Sequence, residues 1–342
     1  MRTLFPESMG PVLDVAPINE LFGAKWLVLA SNGALVRFDS DSGVCEQLVT
    51  LTLQAAAPAE PWWSRVNARL HVSGRGEFAA VVNDYGCDGT IVDLRTGAIT
   101  ISLEGGNYKS NTVPYAFAFV DANGRTLAIH RTKWNRLDVS DAATGALLTT
   151  RESPSALPGG PDPGRYRDYF HGALVVSPHG RRILDDGWIW HPVGVPTTWS
   201  VERWIAGNVW ESEDGESRRR LAWRSYYWNR GGCWLDDARV AITGIGDDDE
   251  AMLDGALIFD VTAPVKAGQC PEPTMTIPGP AGTLFSDGVS LFSADAKGLS
   301  RWSLSGGALT GRIAGFRPGY YHRGACELVQ RDGSALIRWR IG

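Results

Sequence analysis

The stretch "TIVDLRTG", residues 90–97, is a short strand pattern that runs into a polar turn. Apolar residues alternate with polar ones, Asp93 ends the run, and Gly97 closes the turn. The same form recurs as "ALVRFDSDSG" (34–43), "LDVSDAATG" (137–145), "WIWHPVG" (188–194), "ALIFDVTAP" (256–264) and "LSRWSLSG" (299–306). The chain's last residues, "LIRWRIG" (336–342), give it once more. These units end at 43, 97, 145, 194, 264, 306 and 342, at intervals of 54, 48, 49, 70, 42 and 36 residues.

Upstream of most turns lies a second strand pattern, as in "EFAAVVND" (77–84), "RTLAIHR" (125–131), "RRILDD" (181–186) and "ARVAITG" (238–244). A third precedes it in "ARLHVS" (68–73), "YAFAFV" (115–120) and "HGALVVS" (171–177). Adding the strand after each polar turn gives four antiparallel strands per unit. Helix signals are nearly absent. Seven such units at roughly 40–50 residues each describe an all-β, seven-bladed β-propeller. The last unit lacks its outer strand, and Arg2–Phe5 is expected to supply it and close the ring. On this reading residues 1–342 form one domain, and the interval of 70 marks an insertion at about 205–230.

The chain resembles WD40-type propellers over essentially its whole length. "FDSDSG" and "VDLRTG" keep the apolar-Asp-x-x-x-Gly form with Asp39 and Asp93; Asp141 and Asp260 stand in the same place in "SDAATG" and "FDVTAP". Trp190 and Trp302 take that place in the fourth and sixth units, and no Gly-His pair opens any unit. The segment "SPHGRRILDDGWIWHPVG" is also similar to bacterial WD40-like proteins, a likeness that implies no particular function.

Composition agrees with this architecture. Forty glycines and fourteen tryptophans suit many turns joined to short aromatic strands. A formal charge of −5 argues against an extended phosphate-binding surface, so nucleic acid is not an expected partner. No apolar run is long enough to span a membrane, and the first residues lack a secretory apolar core. Five widely spaced cysteines suggest neither a disulfide framework nor a zinc site, and point to a reduced cytoplasmic setting.

Strand alternation places the long segments 51–65, 104–114, 152–170 and 206–230 on one face, while the turns of the other face are short. Long loops on a regular scaffold are where binding concentrates. The expected contact residues are Tyr108, Lys109, Arg165, Tyr166, Arg167, Tyr169, His171, Arg218, Arg219, Arg220, Arg224 and Tyr226. Arg and aromatic side chains suit protein interfaces, although Trp223, Tyr227 and Trp228 equally suit a cover for the fifth blade. The leading expectation is a protein- or peptide-binding scaffold, monomeric on its own and with no cofactor or metal.

The segment "DDGWIWHPVG" (185–194) raises the competing reading. With His171 and His322 expected at the channel mouth, His171, Asp185 and Asp186 could serve an enzyme or a small-ligand site there, beside Tyr226. Against it, adjacent strand residues point to opposite faces, so the two acids are equally read as turn caps or inter-blade bonds. Trp188 and Trp190 read as packing residues of the blade's third strand. The acidic run Asp247–Glu250, with Asp254, could hold a cation but lacks the spacing of a calcium loop. No Gly-x-Ser-x-Gly elbow or phosphate loop is present.

Overall fold

The computed structural model describes residues 1–53, 66–153, 165–266 and 269–342. The turn after Asp93 shows how each unit is built. The Asp93 carboxylate accepts from the backbone N–H of Arg95 at 2.8 Å and of Thr96 at 3.3 Å. Gly97, at φ +75°, then donates back to the Asp93 carbonyl. A side chain at Gly97 would be strained in that left-handed conformation. Asp39 and Asp141 make the same turn with Gly43 and Gly145, and Asp260 caps Thr262.

Two units use this device at a different residue from the one expected. In the sixth, Ser303 rather than Trp302 ends the strand: its hydroxyl accepts from Ser305 N–H, and Gly307 donates to its carbonyl. Trp302 instead turns inward and donates to Ser293 at 2.9 Å. In the fourth, the third strand is Thr197–Ser200, not the tryptophan-rich run. Ser200 caps the short helix Val201–Ile205 by accepting from Arg203 N–H.

Eight antiparallel sheets form among the described residues, and seven of them follow one another along the chain. Their innermost strands are Val12–Pro17, Asn67–Val72, Phe117–Ala122, Leu174–Val176, Gly232–Trp234, Thr283–Ser286 and Tyr320–His322. Each lies beside the next, and the seventh returns beside the first. This is a β-propeller, consistent with the seven units counted in the sequence. Arg2–Leu4 pairs with Ala335–Arg340 as the outermost strand of the last sheet. Arg338, buried in that sheet, binds Glu327 through two hydrogen bonds and reaches Ser40 and Asp41 of the first.

The core sits between neighbouring sheets. Leu27, Leu29 and Leu35 of the first pack on Leu70, Val81 and Val92 of the second, and comparable clusters follow around the ring. Carboxylates stitch the same seams. Asp14 accepts from Leu70 N–H, Asp84 from Tyr115 N–H and Asp186 from Gly231 N–H, each bond crossing to the next sheet.

The third sheet is the exception, with three strands and one bridge where an outer strand would lie. The segment that includes the short helix Glu211–Asp214 covers this edge through charge. Arg151, nearly inaccessible, donates to Asp138 and to Glu213, both at 2.5 Å. Arg136 and Thr149 complete the ring around Asp138.

Candidate functional site

The eighth sheet is appended to the fourth blade on the loop face. It joins Tyr169–Phe170, Trp188–Ile189, Val193–Gly194 and Arg224–Ser225. Gly194 permits the close approach of the arm that follows, since a Cβ there would lie 1.9 Å from the Tyr227 carbonyl oxygen. That approach lays Trp228 on Trp188, with ring centroids 5.1 Å apart and planes 19° apart. Trp188 in turn stacks on Phe170 at 4.4 Å and 13°. Phe170 then meets Trp134 and Tyr108 at 4.9 and 5.9 Å. Offset stacks of this kind add to the burial of apolar area.

At the solvent end of this stack the rings open into a pocket. Tyr108, Trp134, Tyr166 and Trp190 line a cavity of about 330 Å³ together with Asp168. Tyr108 and Trp190 are 52% and 44% exposed, so two walls are available to a partner. The Lys109 ammonium lies 5.0 Å from the Trp190 ring centroid. Partial burial raises the Asp168 carboxyl above its ordinary pKa, against a lowering pull from His191. Burial, followed by the charges of Asp168 and Tyr108, raises the Tyr166 phenol.

Backbone strain concentrates on this face. Seven non-glycine residues with positive φ occur among the described residues, and five of them lie in these loops: Tyr85, Lys109, His191, Tyr226 and Asn229. Such conformations are costly and gather where surrounding structure holds a functional surface in place. Tyr226 and Trp223 add exposed rings nearby, with Arg220 over Trp223 at 5.8 Å.

Beneath the loops, a cavity of about 640 Å³ follows the central axis, lined among others by Asp14, Arg69, Asp84, Tyr85, Asn229 and Arg331. Asp84 is the most perturbed acid there. Burial raises its carboxyl to about 6, although the Arg69 guanidinium 2.9 Å away opposes the shift.

Several expected site residues belong instead to the fold's interior. His171 is buried and its Nδ1 lies 2.6 Å from Asp185 Oδ2; the other Asp185 oxygen accepts from Gly172 N–H. Asp186 points to the next blade, where burial raises its pKa and Gly231 N–H bonds it at 2.6 Å. The suggested His171–Asp185–Asp186 constellation is thus one buried pair and one inter-blade cap. His322 is buried and faces the Lys25 carbonyl at 2.9 Å, at the end of its strand away from the loop face.

Among the expected contact residues, Tyr169 is buried and donates to the Val195 carbonyl. Arg224 is buried and donates to the carbonyls of Thr243 and Gly244. Neither presents a surface to a partner. Arg219 and Arg220 form the outer strand of the fourth blade, so with Arg218 they stand at its edge rather than on the loop face. They border a charged cleft with Arg167, Glu213 and Glu216, which Asp168 and Trp223 also line. Tyr108, Lys109, Tyr166 and Tyr226 do lie on the loop face, and Arg165 pairs with Asp214 beside Trp210.

Trp188 is a packing residue as expected, whereas Trp190 is exposed. In the acidic loop, Asp248 caps the turn at Asp249–Ala251 and Asp249 faces Arg230. Among the described residues no three His, Cys, Asp or Glu side chains gather as metal ligands do. Residues 54–65 and 154–164, which carry most of two long segments expected on this face, lie outside the described residues. Trp134, Asp168 and Trp190 were not marked as site residues by the sequence. They come from three separate loops, and only folding brings them together.

No family model matches this chain. No curated protein matches it either. Solved structures do. The chain is similar to the β-propeller domain of Cps50 (Swd1) from Myceliophteria thermophila, at 11% identity, with 97% of this chain and 98% of that one covered and a TM-score of 0.57. It is similar to a chain of the Mitotic Checkpoint Complex at 13% identity, covering 100% and 91%, with a TM-score of 0.57. BamB from Moraxella catarrhalis matches at 13% identity over 96% and 85%, with a TM-score of 0.54. At these identities the likeness establishes the fold, a β-propeller, and nothing further. No helix among the described residues is long and apolar enough to cross a membrane.

Proposed function

We propose that this propeller is a recognition module for a protein or peptide, and that the partner docks on the loop face around Tyr108, Lys109, Tyr166, Trp190 and Tyr226. The observation that carries the reading is the exposed aromatic surface set on an internally stacked base and surrounded by loops of strained backbone. Exposed aromatics held rigid lose little entropy on binding and offer large contact area, which is how interface hot spots work. One structural neighbour belongs to a multi-protein complex, the Mitotic Checkpoint Complex, so this shape is compatible with working beside other chains. In this reading the chain is a monomer on its own, uses no cofactor and works in the cytoplasm, where its five free thiols stay reduced.

The competing channel-mouth enzyme loses its candidate acid and base, because His171, Asp185 and Asp186 are engaged inside the fold. Hydrogen–deuterium exchange tests the docking face. The chain alone and the chain with a captured partner are compared, and protection is expected at 107–112, 188–192 and 223–229. Protection confined to the short-turn face or to the outer strands would refute it.

A further inference from the structure

We propose that the box formed by Tyr108, Trp134, Tyr166, Trp190 and Asp168 binds a methylated ammonium group. The inference rests on the reading of this face as a recognition surface and names the chemistry it selects.

The lining is the reason. Four aromatic side chains and one carboxylate line an open pocket of about 330 Å³, at the small end of the ~300–1,000 Å³ of ligand pockets. Tyr108 stands at 70° to Trp134 and Tyr166 at 63° to Trp134, with centroids 5.2 and 6.4 Å apart. Rings set steeply to one another form walls, and the face of each ring carries partial negative charge. A cation seated against such faces is held by several weak attractions at once. Asp168 contributes the one full negative charge among the described residues of the lining.

The box also selects among cations. An unmethylated ammonium carries three N–H donors, and enclosing it leaves donors without acceptors unless several oxygens converge. Apart from the two phenol oxygens, Asp168 is the only side-chain acceptor in the lining among the described residues. Methylation removes the donors, spreads the charge over apolar groups and fits aromatic walls. Trp190 already serves as a cation platform within the chain, since Lys109 sits over it. The base of the box is braced by the Phe170–Trp188–Trp228 stack, so its walls need little reordering to receive a ligand.

The methylated ammonium could be carried on a lysine side chain of a peptide or on a free small molecule such as choline, and the test separates these. Calorimetric titrations use choline chloride, a five-residue peptide with a central trimethyl-lysine, and the same peptide unmethylated. The expected result is that the trimethylated peptide binds at least about tenfold tighter than the unmethylated one. Trp190→Ala should abolish that preference and Asp168→Asn should weaken binding several-fold, with both variants retaining the wild-type circular dichroism. Choline binding as tightly as the trimethylated peptide would support the box and assign it to a free small cation. Equal affinity for the two peptides with no binding of choline, or binding untouched by Trp190→Ala, would overturn it. Because this assay needs no natural partner, its failure leaves the docking face to be judged separately by exchange protection.

Discussion

Asn229 donates a hydrogen bond from its side-chain amide to the Tyr85 hydroxyl at 2.8 Å, across the mouth of the central cavity and between residues 144 apart in sequence. Both residues hold positive φ, +60° for Tyr85 and +54° for Asn229. Asn tolerates that region better than Tyr, so the Tyr85 backbone carries more of the strain. The bond ties the second blade's loop to the arm before the fifth and covers the cavity from the loop face. Trp228 of the same arm donates to the Thr112 carbonyl at 3.4 Å, which brings in the loop before the third blade.

A double-mutant cycle on this pair should therefore show coupling. Tyr85→Phe and Asn229→Gly each remove the bond while leaving the backbone conformations accessible. Urea unfolding is expected to give an interaction energy of about 0.5–1.5 kcal/mol. Additive single-variant effects would mean that the two residues do not hold the mouth together.

We propose that the buried His171–Asp185 pair serves structure rather than chemistry. Asp185→Ala would leave the His171 ring nitrogen and the Gly172 N–H buried without their acceptor. The expected cost is about 2–5 kcal/mol in chemical unfolding. His171→Ala should also destabilise the fold. Affinity for a loop-face partner, measured where each variant is still folded, should stay within about twofold of wild type. A stable Asp185→Ala protein that has lost a specific activity would revive the catalytic alternative.

Asp84 makes stability depend on pH in an unusual direction. Its carboxyl rises from an ordinary 3.8 to about 6 in the fold because burial disfavours the charge. The folded state therefore holds this proton more tightly than the unfolded chain does. The stabilisation is complete below about pH 4 and is lost as pH rises through about 6. A shift of that size corresponds to ~3 kcal/mol. Asp84→Asn keeps an acceptor for Tyr115 N–H and removes the titration. The stability of the variant relative to wild type should rise between pH 4 and pH 7 and stay level above it. A difference that does not change with pH would show that Asp84 ionises normally.

The fold was legible because one device repeats. An Asp or Ser at the strand end with a turn four residues long leaves a countable mark, so Asp39, Asp93 and Asp141 located their blades directly. The fourth blade misled for a physical reason. "WIWHPVG" has the apolar alternation and terminal glycine of a third strand, yet it pairs in the appended sheet because Trp188 gains more by stacking between Phe170 and Trp228. The true strand, Thr197–Ser200, carries β-branched threonines and a capping serine, a weaker but readable signal.

The candidate site was less legible. Its loops were marked by length, and Tyr108, Lys109, Tyr166 and Tyr226 by residue type. Burial could not be read from type, which is why Tyr169, His171 and Arg224 looked available. The box depends on Trp134 of the third sheet's loop meeting Asp168 and Trp190, which flank strands of the appended sheet, and no local spacing encodes that.

In the proposed function the loop face, rather than the arginine-lined edge, is the recognition surface. Affinity capture by three forms of the chain distinguishes the two: wild type, a Trp190→Ala/Tyr226→Ala variant of the face, and an Arg218→Ala/Arg219→Ala/Arg220→Ala variant of the edge. The expected result is a stoichiometric partner with wild type, its retention by the edge variant, and its loss, at least about tenfold in affinity, by the face variant. Retention by the face variant with loss by the edge variant would contradict it.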